Sequence, residues 1–178
     1  GKVVDLENHV GNSSTTGGVG IGHTRWATHG EPNDVNAHPH FSQSENLVMI
    51  HNGIIENYDV IKKQRISRGY NFKSDTDTEV FVNLIEDIQK SANLKLGEAV
   101  RIALKKVVGA YAITIIDKSN PNILIAAKKS SPLVVGVGKG EFFIASDATP
   151  IVEYTKNVVY LEDGQIVILK KGKDLKVV

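Results

Sequence analysis

From residue 110 to its end the chain breaks into short β-branched runs, and this pattern restricts the fold more than any other feature. Ala110 to Ile116, Ile123 to Ala127, Leu133 to Val137 and Glu141 to Ala145 are separated by Gly, Pro, Asn and Ser, the residues that favour turns. They predict successive antiparallel strands. Asp163-Gly164 stands between Val158–Leu161 and Gln165–Leu169, which predicts a hairpin closed by a type I′ turn. Leu175 to Val178 reads as a last strand.

The middle of the chain has helical periodicity. Val80, Phe81, Leu84, Ile85 and Ile88 recur at helical spacing, and Thr76 with Glu79 matches a capping box, so a helix starts near Thr76 or Asp77. A helix over Asn57 to Arg68, stopped by Gly69, precedes it. Another over Leu96 to Val107 follows, with Ala99, Val100, Ala103, Leu104 and Val107 on its inner side. Helices in the middle with strands on either side argue for an α+β domain of layered antiparallel sheet and helix.

Residues 8 to 19 are rich in Gly, Ser, Thr and Asn and read as an exposed loop leading into a short strand at Val19-Gly20-Ile21-Gly22. From Arg25 to Phe41 periodicity disappears while His, Asn, Pro and Gly accumulate, a long irregular segment of the kind that carries function. It ends before the apolar run Leu47 to Ile50.

At 178 residues, the length suits one compact core, and a net charge of +1 gives no field to attract nucleic acid or an anionic membrane. No apolar run approaches the roughly 18 residues that span a bilayer, and the first residues are not a signal peptide, so the expected location is the cytoplasm. The absence of cysteine excludes disulfides, thiolate metal sites and a cysteine nucleophile within these residues.

The stretch His23-Thr24-Arg25-Trp26-Ala27-Thr28-His29-Gly30 packs a fixed cation, the one tryptophan, two hydroxyls and two imidazoles into eight residues. Arginine can hold a carboxylate through two parallel hydrogen bonds. Trp26 could close a pocket over a small ligand, with Thr28 and His29 in its polar wall. His51-Asn52-Gly53 falls where the run Leu47 to Ile50 ends, and an Asn amide beside a backbone N–H can form an oxyanion hole. Ser74-Asp75-Thr76-Asp77-Thr78-Glu79 lies at the start of a helix, where a carboxylate could bind an ammonium group. Arginine for a carboxylate and aspartate for an ammonium describe an amino-acid site.

Singly, each residue has a plainer reading. Asn52-Gly53 would form a turn, and Asp77 would be a first-turn carboxylate favoured by the helix dipole. His38-Pro39-His40 invites a metal, but no third ligand is convincingly spaced. Gly18-Val19-Gly20-Ile21-Gly22 lacks the spacing of a dinucleotide loop, and Lys170-Lys171-Gly172-Lys173 reads as a solvated turn.

Taken together, His23 to Gly30, Asn36-Ala37-His38-Pro39-His40, His51 to Asn57 and Thr76 to Glu79 resemble the glutaminase domain of the glutamine–fructose-6-phosphate aminotransferase family, class-II glutamine amidotransferases. The likeness continues through Gly109 to Ala112, Ser131 to Val134 and Phe143 to Asp147 as far as Leu161-Glu162-Asp163-Gly164. It therefore spans residues 1–178 as one glutaminase domain.

What the resemblance implies is an N-terminal-nucleophile (Ntn) hydrolase sandwich of four αββα layers. Arg25 would bind the glutamine α-carboxylate and Asp77 the α-ammonium, with Trp26, Thr28 and His29 in the same pocket. The Asn52 side chain and Gly53 N–H would form the oxyanion hole. No metal or cofactor is expected, and the implied partners are glutamine and the sugar-isomerase domain of a homo-oligomeric parent protein.

The family attacks the amide with an N-terminal cysteine, whereas this sequence opens at Gly1-Lys2-Val3. Its opening resembles an interior point of the family domain, so the sequence reads as a fragment that lacks the first elements and the nucleophile and is inactive alone. The alternatives are a non-catalytic glutamine-binding module or another class-II amidotransferase.

Overall fold

The computed structural model describes residues 3–11 and 17–178. Its centre is a six-stranded antiparallel sheet. β1 (His40–Phe41), β2 (Leu47–Ile55), β3 (Gly109–Asp117), β4 (Ile123–Lys129), β8 (Ile166–Lys170) and β9 (Lys176–Val177) pair in the order β1-β2-β3-β4-β8-β9. Successive side chains on a strand point to opposite faces, and two cores follow from that alternation. Ile113, Ile115, Ile125 and Ala127 pack against helices α2 (Tyr58–Ile66), α3 (Asp77–Ala92) and α4 (Leu96–Leu104). Ala112, Ala126, Val167 and Leu169 pack on the other side, against a three-stranded sheet in which β5 (Val134–Val137) lies between β6 (Phe142–Ala145) and β7 (Val158–Tyr160).

The stack is therefore helix, sheet, sheet, the antiparallel α+β arrangement expected. Among the described residues one helix lies outside the α2–α4 layer: α1 (Val3–Val10), none of whose residues is buried.

Helix α3 is the mechanical centre. Val80, Phe81, Leu84 and Ile85 are at most 2% exposed, and truncating a side chain such as Phe81 to alanine would cost about 3–5 kcal/mol. Its start is fixed by Thr76, whose hydroxyl oxygen accepts the Glu79 N–H at 3.2 Å. The reciprocal half of the capping box does not form. The Glu79 carboxylate instead accepts the backbone N–H groups of Lys73 (2.9 Å) and Ser74 (2.7 Å), pinning the loop ahead of the helix.

Two carboxylates on α3 are also buried, and each is paired, as burial of charge requires. Glu86 accepts from the Ser44 hydroxyl and meets Lys90 at 3.1 Å. Asp87 meets Arg65 and, at 3.0 Å, Arg68.

Three expectations change. Val158–Leu161 and Gln165–Leu169 do not form a hairpin: β7 pairs with β5, whereas β8 pairs with β4 and β9 in the other sheet. Of the two turn residues only Gly164 has positive φ (+85°), and a type I′ turn needs both. Contacts distant in sequence redirect this turn, because Asp163 accepts the Ser130 N–H at 2.9 Å and meets Lys128 Nζ at 2.7 Å.

Second, Val19 to Gly22 forms no strand. Val19 is 42% exposed, and no neighbouring strand pairs with these residues. Third, of the loop expected over residues 8–19, residues 8–10 belong to α1 and residues 12–16 lie outside the described residues.

Candidate active site

Strand β2 does not end at Ile50 but continues through His51, Asn52 and Gly53 to Ile55, in register with β3. Alternation then sends His51 and Asn52 to opposite faces. His51, paired with Ile113, faces the helices, packs edge-on to Phe81 with ring centroids 6.2 Å apart, and is buried. Asn52, paired with Ala112, faces the three-stranded sheet and is exposed. Gly53 has φ +132°, and a Cβ there would stand 2.2 Å from the Ala110 carbonyl oxygen, so no other residue fits this close pairing of β2 with β3.

The segment between Gly17 and Pro39 contains no regular element and is held by side chains that bond backbone. Arg25, at φ +48°, directs its guanidinium onto the carbonyls of His29 (2.5 Å), Gly30 (3.2 Å) and Glu31 (3.3 Å). Asn36 donates to the Glu31 carbonyl at 3.0 Å and accepts the Asp75 N–H at 3.0 Å, joining this segment to the approach to α3. Gly30 lies directly against Asn36, leaving no room for a Cβ. Asn36 was legible as part of a motif, but its joining role was not. It is 1% exposed, and burial of that kind is not visible in a polar run.

Asp77 opens α3 and is 3% exposed. Its Oδ2 accepts the Ile55 N–H at 2.8 Å, tying the helix start to the end of β2. Two imidazoles flank the carboxylate: His29 Nδ1 lies 4.0 Å from Oδ1 and His51 Nδ1 lies 3.9 Å from Oδ2. His51 Nδ1 also contacts the Thr78 hydroxyl at 3.1 Å. Burial pushes the His51 imidazole below its ordinary pKa, opposed by the Asp77 charge, and keeps the ring neutral near pH 7.

These elements enclose one small cavity of about 20 Å³ whose lining includes Arg25, Trp26, Thr28, His29, Asn52, Gly53 and Asp77, all seven residues singled out from the sequence. That volume suits about one water. A ligand the size of an amino acid would enter this cavity only if the Arg25 segment moved, and the Arg25 guanidinium is engaged by the carbonyls of His29, Gly30 and Glu31 in this conformation. Trp26, 91% exposed, covers nothing in this conformation.

Asn52, Arg25 and Trp26 also border a second cavity of about 820 Å³ between the two sheets, floored by Ile50, Ala112 and Thr114 and walled by Leu133 and Ile144. Among the described residues no group of three or more His, Asp or Glu side chains is arranged to hold a metal ion.

Two antiparallel sheets face to face, helices over one of them and a polar pocket beside Asn52 and Gly53 of β2 are the arrangement of an amidotransferase of the Ntn-hydrolase type. Solved structures agree with this. The glutamine phosphoribosylpyrophosphate amidotransferase of B. subtilis, complexed with ADP and GMP, aligns with a TM-score of 0.69 at 28% identity, over 88% of this chain and 33% of that one. An allosteric regulatory enzyme of purine biosynthesis aligns at 0.67 and 26% identity, over 81% and 31%.

The sequence profile of the Glutamine amidotransferase domain matches residues 8–169, and the chain belongs to that family. It is 62% identical over 178 residues to the glutamine–fructose-6-phosphate aminotransferase [isomerizing] of Bacteroides thetaiotaomicron, and 51% identical over 175 residues to that of Chlorobaculum tepidum. The chain spans 29% and 28% of those relatives' lengths. No described helix is long and apolar enough to cross a membrane.

Proposed function

We propose that this chain binds glutamine at the small cavity, Arg25 taking the α-carboxylate and Asp77 the α-ammonium, with the side-chain amide directed toward Asn52 and Gly53. The observation that carries the reading is that Arg25 and the buried Asp77 line one cavity that Asn52 and Gly53 also line. Asp77 Oδ2 is taken up by the Ile55 N–H, which leaves Oδ1 to meet an ammonium near the start of the helix. Thr28, His29 and Trp26 complete the pocket.

As the amide carbon becomes tetrahedral, its oxygen gains negative charge, which the Asn52 amide and the Gly53 N–H stabilise. Donors of this kind are worth about 10²–10³ in kcat apiece. The attacking thiol is contributed from outside these 178 residues, which contain no cysteine, and approaches Asn52 from the cavity between the sheets. In the whole protein the released ammonia converts fructose 6-phosphate to glucosamine 6-phosphate at a sugar-isomerase domain, in a cytoplasmic homo-oligomer.

A second reading follows from the same missing thiol: taken alone, the chain is a glutamine-binding module without turnover. Calorimetric titration with glutamine tests the pocket. Binding should be measurable for the wild-type chain and lost in Arg25→Ala, and equal affinity in that variant would refute the assignment. Adding an upstream segment that supplies a cysteine should create glutaminase activity, and its continued absence would favour the binding module.

A further inference from the structure

Between Gly17 and Pro39, where no regular element forms, one residue is buried: Asn36 is 1% exposed, and every other residue is half-buried or exposed. Burying an amide is costly unless its polar atoms are bonded, and here they are. Nδ2 donates to the Glu31 carbonyl at 3.0 Å, and Oδ1 accepts the Asp75 N–H at 3.0 Å. The Asn36 N–H donates to Asn33 Oδ1 at 2.9 Å, so the turn over residues 33–36 does not depend on the Asn36 side chain.

These bonds divide the segment. Residues 31–36 are tied at Asp75 to the approach to α3, and Pro32 stiffens them by fixing its own φ and restricting Glu31 before it. Arg25, by contrast, bonds within its own segment. Its N–H donates to His23 Nδ1, and its guanidinium donates to the carbonyls of His29 and Gly30. The third carbonyl that it meets is that of Glu31, which accepts from Arg25 on one side of the division and from Asn36 on the other. Gly30 is the joint. It has φ +74°, and a Cβ there would stand 2.5 Å from Asn36 Nδ2 and 3.0 Å from the Asp75 Cβ. The residue with the freest backbone thus adjoins the stiffest pair.

We propose that Asn36 is a positioning residue for the ligand: it anchors residues 31–36 while residues 23–30, with Arg25 and Trp26, turn about Gly30 to admit and then cover an α-amino acid. The inference rests on the reading of Arg25 as the group that takes the carboxylate. Anchor and moving part are different residues, so fixing the first leaves the second free to open. What the anchor does is shorten the stretch that must be ordered around a ligand. Without it the whole span from Gly17 to Pro39 takes part in opening and closing, and each further residue ordered on binding costs roughly tenfold in affinity.

The test uses the 178-residue chain and reads amide exchange at Asp75, Arg25 and Ile55, together with glutamine affinity by calorimetry. In the wild type the Asp75 amide should stay protected at saturating glutamine, because the anchor holds while residues 23–30 move. Asn36→Ala should weaken glutamine binding by about tenfold and speed exchange at Asp75 and Arg25. The Ile55 amide, bonded to Asp77, should exchange as slowly as in the wild type. Gly30→Ala drives a Cβ into Asn36 and should weaken binding as well. In the double variant that Cβ meets no Asn36 amide, so the combined loss should be smaller than the product of the two single losses.

Loss of Asp75 protection on glutamine binding would overturn the anchor, since both parts of the segment would then move together. Wild-type affinity in Asn36→Ala would overturn it too, as would faster exchange at Ile55, the sign of a merely structural role. Losses that multiply in full would show that Gly30 and Asn36 act separately and would overturn the joint. Should Asn36→Ala fail to fold, the wild-type comparison with and without glutamine decides. A wild-type chain that binds no glutamine would refute the roles of Arg25 and Asp77, and exchange without ligand would then decide the anchor: Asn36→Ala must speed Arg25 as well as Asp75, and an unchanged Arg25 amide would refute it.

Discussion

The Asp77 carboxylate accepts the Ile55 backbone N–H at 2.8 Å, so the group proposed to bind an ammonium also joins helix α3 to strand β2. One oxygen has a structural partner and the other faces His29 across 4.0 Å. The plain reading of a first-turn carboxylate and the functional reading thus fall on different atoms of one side chain. Substitutions can separate them.

Asp77→Asn keeps an acceptor for Ile55 and removes the charge. It should lose glutamine affinity by tenfold or more while moving the urea midpoint little, since a neutral hydrogen bond contributes about 1 kcal/mol. Asp77→Ala leaves a buried N–H unsatisfied and should cost about 1–3 kcal/mol of stability as well. Equal urea midpoints for the two variants would show that the bond to Ile55 contributes nothing.

Gly53→Ala tests the close pairing of β2 with β3. Its Cβ would meet the Ala110 carbonyl oxygen at 2.2 Å in a backbone conformation that alanine resists, whereas Gly140, also at positive φ (+78°), has open space around it. Gly53→Ala should cost about 3 kcal/mol or more and Gly140→Ala about 1 kcal/mol. Thermal denaturation should place their midpoints well apart. Coincident curves would mean that β2 shifts to make room, and Asn52 would then move as well.

Acid should unfold the chain earlier than its carboxylates alone require. Burial holds His23, His40 and His51 below their ordinary values, and burial with neighbouring imidazoles takes His38 from 6.5 to about 3. Each ring binds its proton less readily folded than unfolded, so below pH 6.5 the unfolded chain takes up the extra protons and stability falls with pH. Burial pushes the Glu86 and Asp117 carboxyls up, but hydrogen bonds from Ser42 and Ser44 to the first and from Ser119 to the second outweigh it and hold both below their ordinary values, so they add their loss only below about pH 4.5. Urea midpoints should therefore decline steadily from pH 6.5 to 5, less steeply in His38→Gln. A flat profile over that interval would contradict the burial of these four imidazoles in neutral form.

How far the sequence anticipates this molecule depends on the range of the forces that shape each element. Helix α3 was legible because its periodicity and its Thr76 cap are local. The strands from Gly109 to Lys170 were legible because β-branched runs between turn residues need only a nearby partner. Partner choice was not. Asp163-Gly164 carries a hairpin signal, yet contacts from Asp163 to Ser130 and Lys128, more than thirty residues away, send the two flanking strands into different sheets. Helix α1 was missed because its amphipathic stripe is short and buries nothing.

The site shows the same division. The identities of Arg25, Asn52, Gly53 and Asp77 were readable as chemistry. The attachment of Arg25 to three loop carbonyls, and of Asp77 to Ile55, depends on folded geometry that no motif encodes.

Trp26 offers a direct view of the movement that the small cavity demands. It is the one tryptophan in the chain and is 91% exposed, so its fluorescence reports this segment without interference and should have the red-shifted maximum of an indole in water. Arg25 is its chain neighbour, so a movement of this backbone segment that frees the guanidinium from the carbonyls of His29, Gly30 and Glu31 carries Trp26 along. Saturating glutamine should shift the emission to the blue as the indole leaves water, and acrylamide quenching should fall by about half or more, as burial of a large aromatic surface implies. Arg25→Ala should abolish both changes. An emission spectrum indifferent to glutamine, in a chain that calorimetry shows to bind it, would mean that the ligand is held without closure of Trp26, and the pocket would then have to open from the side of Asn52.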